Sequence, residues 1–317
     1  MKILPHQTAI RFHNPETAYL GDHIRSSAKR GLELAKPGRE DGKPGAVICG
    51  LGSSLTTPDV LEEVRKLAAE GWVVCALKEA IGFLMDNKIQ VNYAVNMDPQ
   101  AQEAERLPQY DSVTYCLASS CHPHVYDVLL EADLNVLVYH SACGYFELEF
   151  TGGFVLDLLP DTGQKAIVLG EYALMTGDNL EFCPVAIGRK DEWDVYREKF
   201  GGGDTMTGGF TCANRAMALM AYMGVPEIVL AGCDFGWRDG DAYYADYCDF
   251  PHQDEMFMGD QGRLDGKPWH TRPDLLASAV DVAKKVKQGG VRVLGDSIAA
   301  SLSLRDDEYL DWVCTIR

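Results

Sequence analysis

Asp234 stands just past an apolar run, Ile228–Ala231, two residues beyond Gly232. At the carboxyl end of a strand, a carboxylate faces the crevice in which α/β proteins bind ligands. There it can take a proton, orient a hydroxyl or help hold a divalent cation. Upstream, Gly208 and Gly209 lead into a stretch in which Ala216, Leu219, Met220 and Met223 recur at helical spacing, until Gly224 and Pro226 stop it. Glycines at a helix start free backbone N–H groups where the dipole favours an anion, so this stretch offers a phosphate seat and, one strand later, an acid. Read from the residues alone, an ordinary helix-to-strand connection competes with that assignment.

Two further constellations carry chemistry. Gly50-Leu51-Gly52-Ser53-Ser54-Leu55 follows the apolar run Ala46–Cys49 and precedes Thr57-Pro58, an N-cap with proline at the first helical position. Its amides and hydroxyls suit phosphate or ribose. It is not a Walker loop, because no Gly-Lys-Ser/Thr follows, and Leu55 stands where a dinucleotide fingerprint has its third glycine. Asn96-Met97-Asp98-Pro99 ends a later strand. Asn96 can read a base or ribose, and Asp98 can hold a ribose hydroxyl or a metal-bound phosphate; helix capping ahead of Pro99 is the competing role.

The elements that must position these residues alternate. Strands are expected at 46–49, 72–76, 91–95, 113–117, 136–139, 228–231 and 291–294, with amphipathic helices between them and a last long helix at 273–287. That alternation predicts an α/β fold with a doubly wound, mostly parallel, Rossmann-like sheet. Residues 1–44, broken by four prolines, are expected to form an arm or cap, and 305–317 a tail. Between them, 45–304 form the principal domain. Residues 141–200 are less regular, with strands expected at 167–169 and 185–187 and a charged helix at 191–199. Residues 235–272 lack periodicity and are expected to form a lid or binding loop.

A net charge of −18 and a pI near 4.8 oppose general polyanion binding, so no nucleic-acid partner is expected. The ten cysteines include no C-x-x-C pair. Cys49, Cys75, Cys116 and Cys233 lie in or beside apolar strands and read as reduced, buried thiols of a cytoplasmic protein. No signal-type leader and no apolar run of membrane-spanning length is visible. Cys116, Cys121, His122 and His124 match no zinc template, and His122-Pro123-His124 reads as a helix start. Homo-oligomerisation remains open.

Taken together, Gly50-Leu51-Gly52-Ser53-Ser54-Leu55, Asn96-Met97-Asp98-Pro99, the stretch from Thr207 to Trp237, Tyr244-Ala245-Asp246 and His270 are similar to a known superfamily. It comprises the Campylobacter-type sialyltransferases, the motility-associated factor (Maf) flagellin glycosyltransferases and the MptE-like 6-hydroxymethylpterin diphosphokinases. The resemblance spans roughly residues 45 to 304 and implies a sialyltransferase-like fold. It implies that Gly52, Ser53, Ser54 and Asn96 hold a nucleotide and that Gly208, Gly209 and Thr211 receive its phosphate, and Gly50 and Asp98 join the nucleotide set from their places in the same two loops. It further implies Tyr244 at the leaving phosphate and His270 as general base, and Asp234 joins the catalytic group as the carboxylate at the strand end. Ser53 departs from the family's proline, and Gly236 from a phosphate-binding tyrosine.

The expected function is therefore nucleotide-dependent transfer, foremost of a sialic-acid-like sugar from a CMP donor to an acceptor hydroxyl. The alternatives are an ATP- and Mg²⁺-dependent MptE-like diphosphokinase, with Asp98 and Asp234 as the metal-holding carboxylates, and a protein that sequesters a nucleotide without turnover. Histidine suits the first reaction as a base near neutral pH, and magnesium bridging phosphates suits the second.

Overall fold

The computed structural model describes residues 20–141, 154–159, 164–169, 172–176, 181–184, 198–200, 206, 211–237, 269, 271 and 273–304. In chain order the strands are β1 Glu33–Leu34, β2 Ala46–Cys49, β3 Val73–Leu77, β4 Tyr93–Asn96, β5 Thr114–Ala118 and β6 Asn135–Tyr139. They continue with β7 Phe154–Leu159, β8 Gln164–Leu169, β9 Tyr172–Thr176, β10 Glu181–Pro184, β11 Ile228–Ala231 and β12 Val291–Leu294. The helices are α1 Leu20–Lys29, α2 Pro58–Ala69, α3 Ala80–Asp86, α4 Glu103–Arg106, α5 Pro123–Glu131, α6 Cys212–Tyr222, α7 Pro273–Lys287 and α8 Ile298–Ser303.

Eight strands make one parallel sheet in the order β1-β6-β5-β4-β3-β2-β11-β12. Together with its helices it forms the α/β, Rossmann-like fold that the alternation of elements predicts. Every residue of β2, β3 and β11 is buried, which explains why these strands read as continuous apolar runs rather than alternating ones. From β2 the chain builds outward to β6, then returns to lay β11 on the other side of β2. The reversal of strand order therefore falls between β2 and β11, the position at which open α/β sheets bind ligands.

Helix α6 secures that junction by packing on β2, β3, β4 and β11. Its Ala216, Leu219, Met220 and Met223 are fully buried, at the spacing that predicted the helix. Each large apolar side chain among them contributes roughly 1.5–3 kcal/mol on burial, and a charge at Leu219 would break the contact. Helix α2 begins at Pro58 after Thr57 and buries Val60, Leu61, Val64 and Leu67.

Residues 33–45 join the sheet as well as skirting it. β1 pairs with β6 at the sheet edge, and the Gly38 and Glu40 amides donate to the Tyr222 and Met223 carbonyls at the end of α6 (3.3 and 2.7 Å). Strands β7 to β10 form a separate four-stranded antiparallel sheet in sequential order. Of the two strands expected in this region, 167–169 lies within β8, whereas 185–187 and most of the expected helix at 191–199 lie outside the described residues. The described cysteines are free thiols, and burial pushes Cys49 and Cys116 up to about 12. No helix among the described residues is long and apolar enough to cross a membrane.

Candidate functional site

Two loops cross at the carboxyl ends of β2 and β11, and their glycines are dictated by that crossing. A Cβ on Gly50 or on Gly52 would come within 2.6 Å of the Gly232 carbonyl oxygen. A Cβ on Gly232 would strike the Gly50 carbonyl oxygen, and Gly232 also has a φ of +63°, which side-chain-bearing residues rarely adopt. The Gly52 amide donates to the Gly232 carbonyl at 2.8 Å. Here close backbone approach serves loop against loop.

Asp234 completes the crossing. Its carboxylate accepts the Ser54 amide at 3.0 Å, the Ser53 hydroxyl at 3.4 Å and a shorter bond from the Ser54 hydroxyl. Ser53 and Ser54 start a short 3-10 helix, Ser53–Thr56. An internal carboxylate thus occupies the donors that the sequence assigned to a phosphate or ribose. Asp234 is 4% exposed, and burial pushes its carboxyl up to about 6 against the pull of the Ser54 and Ser53 hydrogen bonds. The Asp234 carbonyl also accepts the Ile298 amide at 3.1 Å, tying α8 to the same junction.

Beside this junction lies a cleft of about 170 Å³, walled by Gly50 to Gly52, Leu77 to Glu79, Thr211 to Ala213 and Gly232 to Gly236, with Leu275 of α7 at one side. Two of its residues hold left-handed backbones without being glycine, Lys78 at φ +49° and Phe235 at φ +59°. Such conformations cost energy and gather at functional sites. The first turn of α6 opens onto the cleft. Thr211 caps that helix by accepting the Asn214 amide at 3.4 Å, and the Cys212 and Ala213 amides, at the first two helical positions, have no intrahelical acceptor.

Lys78 is a site residue that the motif reading missed. Its ammonium lies 2.8 Å from Asp98 and 3.3 Å from Glu103, with 27% of the side chain exposed. Burial alone would push the ammonium down, but Asp98 and Glu103 hold it well above the ordinary lysine range. Asn96 is fully buried behind it: its Nδ2 donates to Glu103 at 3.1 Å, and its Oδ1 accepts the Asp98 amide at 2.8 Å. Asp98 in turn accepts the Gln100 amide at 3.1 Å. Asn96 and Asp98 therefore address Lys78 and the chain turn, and the lysine addresses the cleft. The available signal was a lone lysine closing the apolar run of β3.

The structure thus brings Gly50, Gly52, Asp234 and Thr211 to one cleft, sets Ser53 and Ser54 against Asp234, and places Asn96 and Asp98 behind Lys78. Gly208, Gly209, Tyr244 and His270 lie outside the described residues. As metal-holding carboxylates, Asp98 and Asp234 are engaged with different partners, Lys78 and Ser54, and no cluster of three or more His, Cys, Asp or Glu among the described residues is placed to hold a metal ion. His122, considered beside Cys121 and His124, serves as the N-cap of α5, its ring accepting the His124 amide at 3.1 Å.

No protein-family description matches the sequence, and no curated protein matches it. Among solved structures, a Maf glycosyltransferase from Magnetospirillum magneticum AMB-1 is similar at 16% identity with a TM-score of 0.49. The match covers 91% of this chain and 39% of that one, so this chain corresponds to well under half of that protein's length.

Proposed function

We propose that the chain is a nucleotide-dependent transferase that moves a sialic-acid-like sugar from a CMP donor to an acceptor hydroxyl. The observation that supports it most is the sharing of one cleft, beside the reversal of strand order, by Lys78 and the amino terminus of α6. An ammonium and helix-start amides without an intrahelical acceptor are the groups that receive a phosphate, and fixed donors of this kind stabilise the charge that develops as the nucleotide leaves. Asp98 and Glu103 hold the lysine in place, and Asn96 bonds to both of these residues.

In this reaction a bond forms from the acceptor oxygen to the sugar's anomeric carbon, and the bond from that carbon to the phosphate oxygen breaks. The phosphate departs with the electron pair as CMP, and the acceptor proton passes to a base. The resemblance assigns that base to His270, the departing phosphate to Tyr244, and its binding to Gly208, Gly209 and Thr211. Asp234 holds the glycine loop through Ser53 and Ser54 rather than meeting the phosphate.

Calorimetry with CMP, CDP, AMP and ATP, each with and without magnesium, tests the reading. Cytidine-nucleotide binding without metal is the expected result. Magnesium-dependent preference for ATP would replace it with pyrophosphoryl transfer, and tight binding without turnover of any donor would replace it with sequestration.

A further inference from the structure

Glu79 lines the same cleft, one residue beyond Lys78 at the carboxyl end of β3. The left-handed backbone of Lys78 turns the chain there before α3 begins. The two neighbouring side chains have different company. Lys78 is ion-paired with Asp98 and Glu103, whereas no side chain among the described residues hydrogen-bonds or ion-pairs with the Glu79 carboxylate. The charged groups around it are Lys78, Glu103 and Arg106, and Glu79 is half-buried, so burial raises its carboxyl above the ordinary range. Its own backbone amide is the donor given to it, and a ligand that supplies hydroxyl groups adds hydrogen bonds to a carboxylate drawn partly out of water.

Its place in the topology narrows the ligand. β2, the Gly50-to-Gly52 loop, α2 and β3 form one parallel β-α-β unit, and Glu79 follows the second strand of that unit, 27 residues after Gly52. In dinucleotide-binding sheets an acid at the end of the second strand, about 20 residues beyond the glycine turn, accepts from the ribose hydroxyls, and Glu79 holds that strand position here although Leu55 replaces the fingerprint's third glycine. The cleft holds an anion seat at Cys212 and Ala213 and, at Glu79, a hydroxyl acceptor with no side-chain donor among the described residues. We infer that Glu79 binds the ribose hydroxyls of the nucleotide and makes the cleft selective for ribonucleotides over 2′-deoxyribonucleotides. This inference rests on the nucleotide reading given above.

The test is calorimetric binding of CMP and 2′-deoxy-CMP to the full chain, to Glu79→Ala and to the shape-conserving Glu79→Gln. Wild type is expected to favour CMP by roughly 10- to 100-fold, the worth of a hydrogen bond to a charged group. Glu79→Ala is expected to bring that ratio near unity by weakening CMP more than 2′-deoxy-CMP, and Glu79→Gln, whose amide oxygen still accepts a neutral hydrogen bond, to lower it. An unchanged ratio in a folded Glu79→Gln, or a wild type that does not distinguish the two ligands, overturns the assignment of Glu79 alone. Failure of wild type to bind CMP, CDP, AMP or ATP overturns the nucleotide reading and this inference with it.

Discussion

The Ser54 amide donates to the Asp234 carboxylate at 3.0 Å across 180 residues of sequence. That bond joins the loop after β2 to the loop after β11 at the point where strand order reverses. It also gives Asp234 a structural task, since the carboxylate supplies the negative charge that the start of the 3-10 helix favours.

The charge state of Asp234 should be visible in stability against pH. Its folded pKa, about 6, is raised above its unfolded value, so between about pH 4 and pH 6 the folded chain holds a proton that the unfolded chain has released. Stability contributed by this group is therefore greatest at low pH and falls as pH rises through the window, by roughly 3 kcal/mol at most. Asp234→Asn should flatten that dependence, with melting temperatures of the two proteins converging near pH 4. Parallel curves from pH 4 to pH 7 would show that the buried acid does not titrate there.

Ser54→Ala removes the hydroxyl donor to Asp234. It should cost about 1–3 kcal/mol in urea denaturation at pH 7 and less at pH 4, where the acid is protonated. Because the serine bond lowers the Asp234 pKa, its loss should move the titration upward from about 6.

Gly232→Ala combines a left-handed φ with a collision against the Gly50 carbonyl. A loss of about 2–4 kcal/mol, or failure to fold, is expected. Gly71→Ala is the matched control: it shares a positive φ of +87° but has open space around the new methyl, so only the smaller backbone strain should register. Equal losses in the two variants would refute the crossing as the reason for Gly232.

Lys78→Met keeps the aliphatic stem, leaves Asp98 without its cation and leaves Glu103 with Arg106 at 3.8 Å. Because the lysine is partly exposed, the stability cost should be about 1–3 kcal/mol, below that of a fully buried pair. Nucleotide affinity should fall at least about 10-fold if the ammonium meets the phosphate. Unchanged affinity in a folded Lys78→Met would remove the lysine from the anion seat.

Much of the sheet was legible because its strands are buried on both faces. Ala46–Cys49 and Ile228–Ala231 stand where continuous apolar runs placed them, Val291–Leu294 stands as expected although Arg292 interrupts it, and Thr57-Pro58 starts α2 as its residue types require. β1 escaped notice because two residues carry no period, and most of the β7 to β10 sheet because its short strands mix Asp157, Lys165 and Glu181 with apolar residues. At the site, Asp234 and the glycine loop were visible as chemistry, yet their mutual bond was not, since sequence spacing does not report a contact 180 residues apart. Lys78 and Glu79 went unnoticed for a different reason: a charged pair between a strand and a helix looks like ordinary solvent-facing punctuation until the turn at Lys78 points it into a cleft.

The position of β11 has a consequence for how the chain is made. β2 through β6 pair with sequence neighbours through short crossovers, so they can assemble early during synthesis. β11 arrives some 180 residues after β2, and until then β2 presents an open edge of fully apolar residues. A nascent or truncated chain that ends before Ile228 should therefore be sticky, captured by chaperones or prone to self-association, and should become well behaved only once that strand is in place.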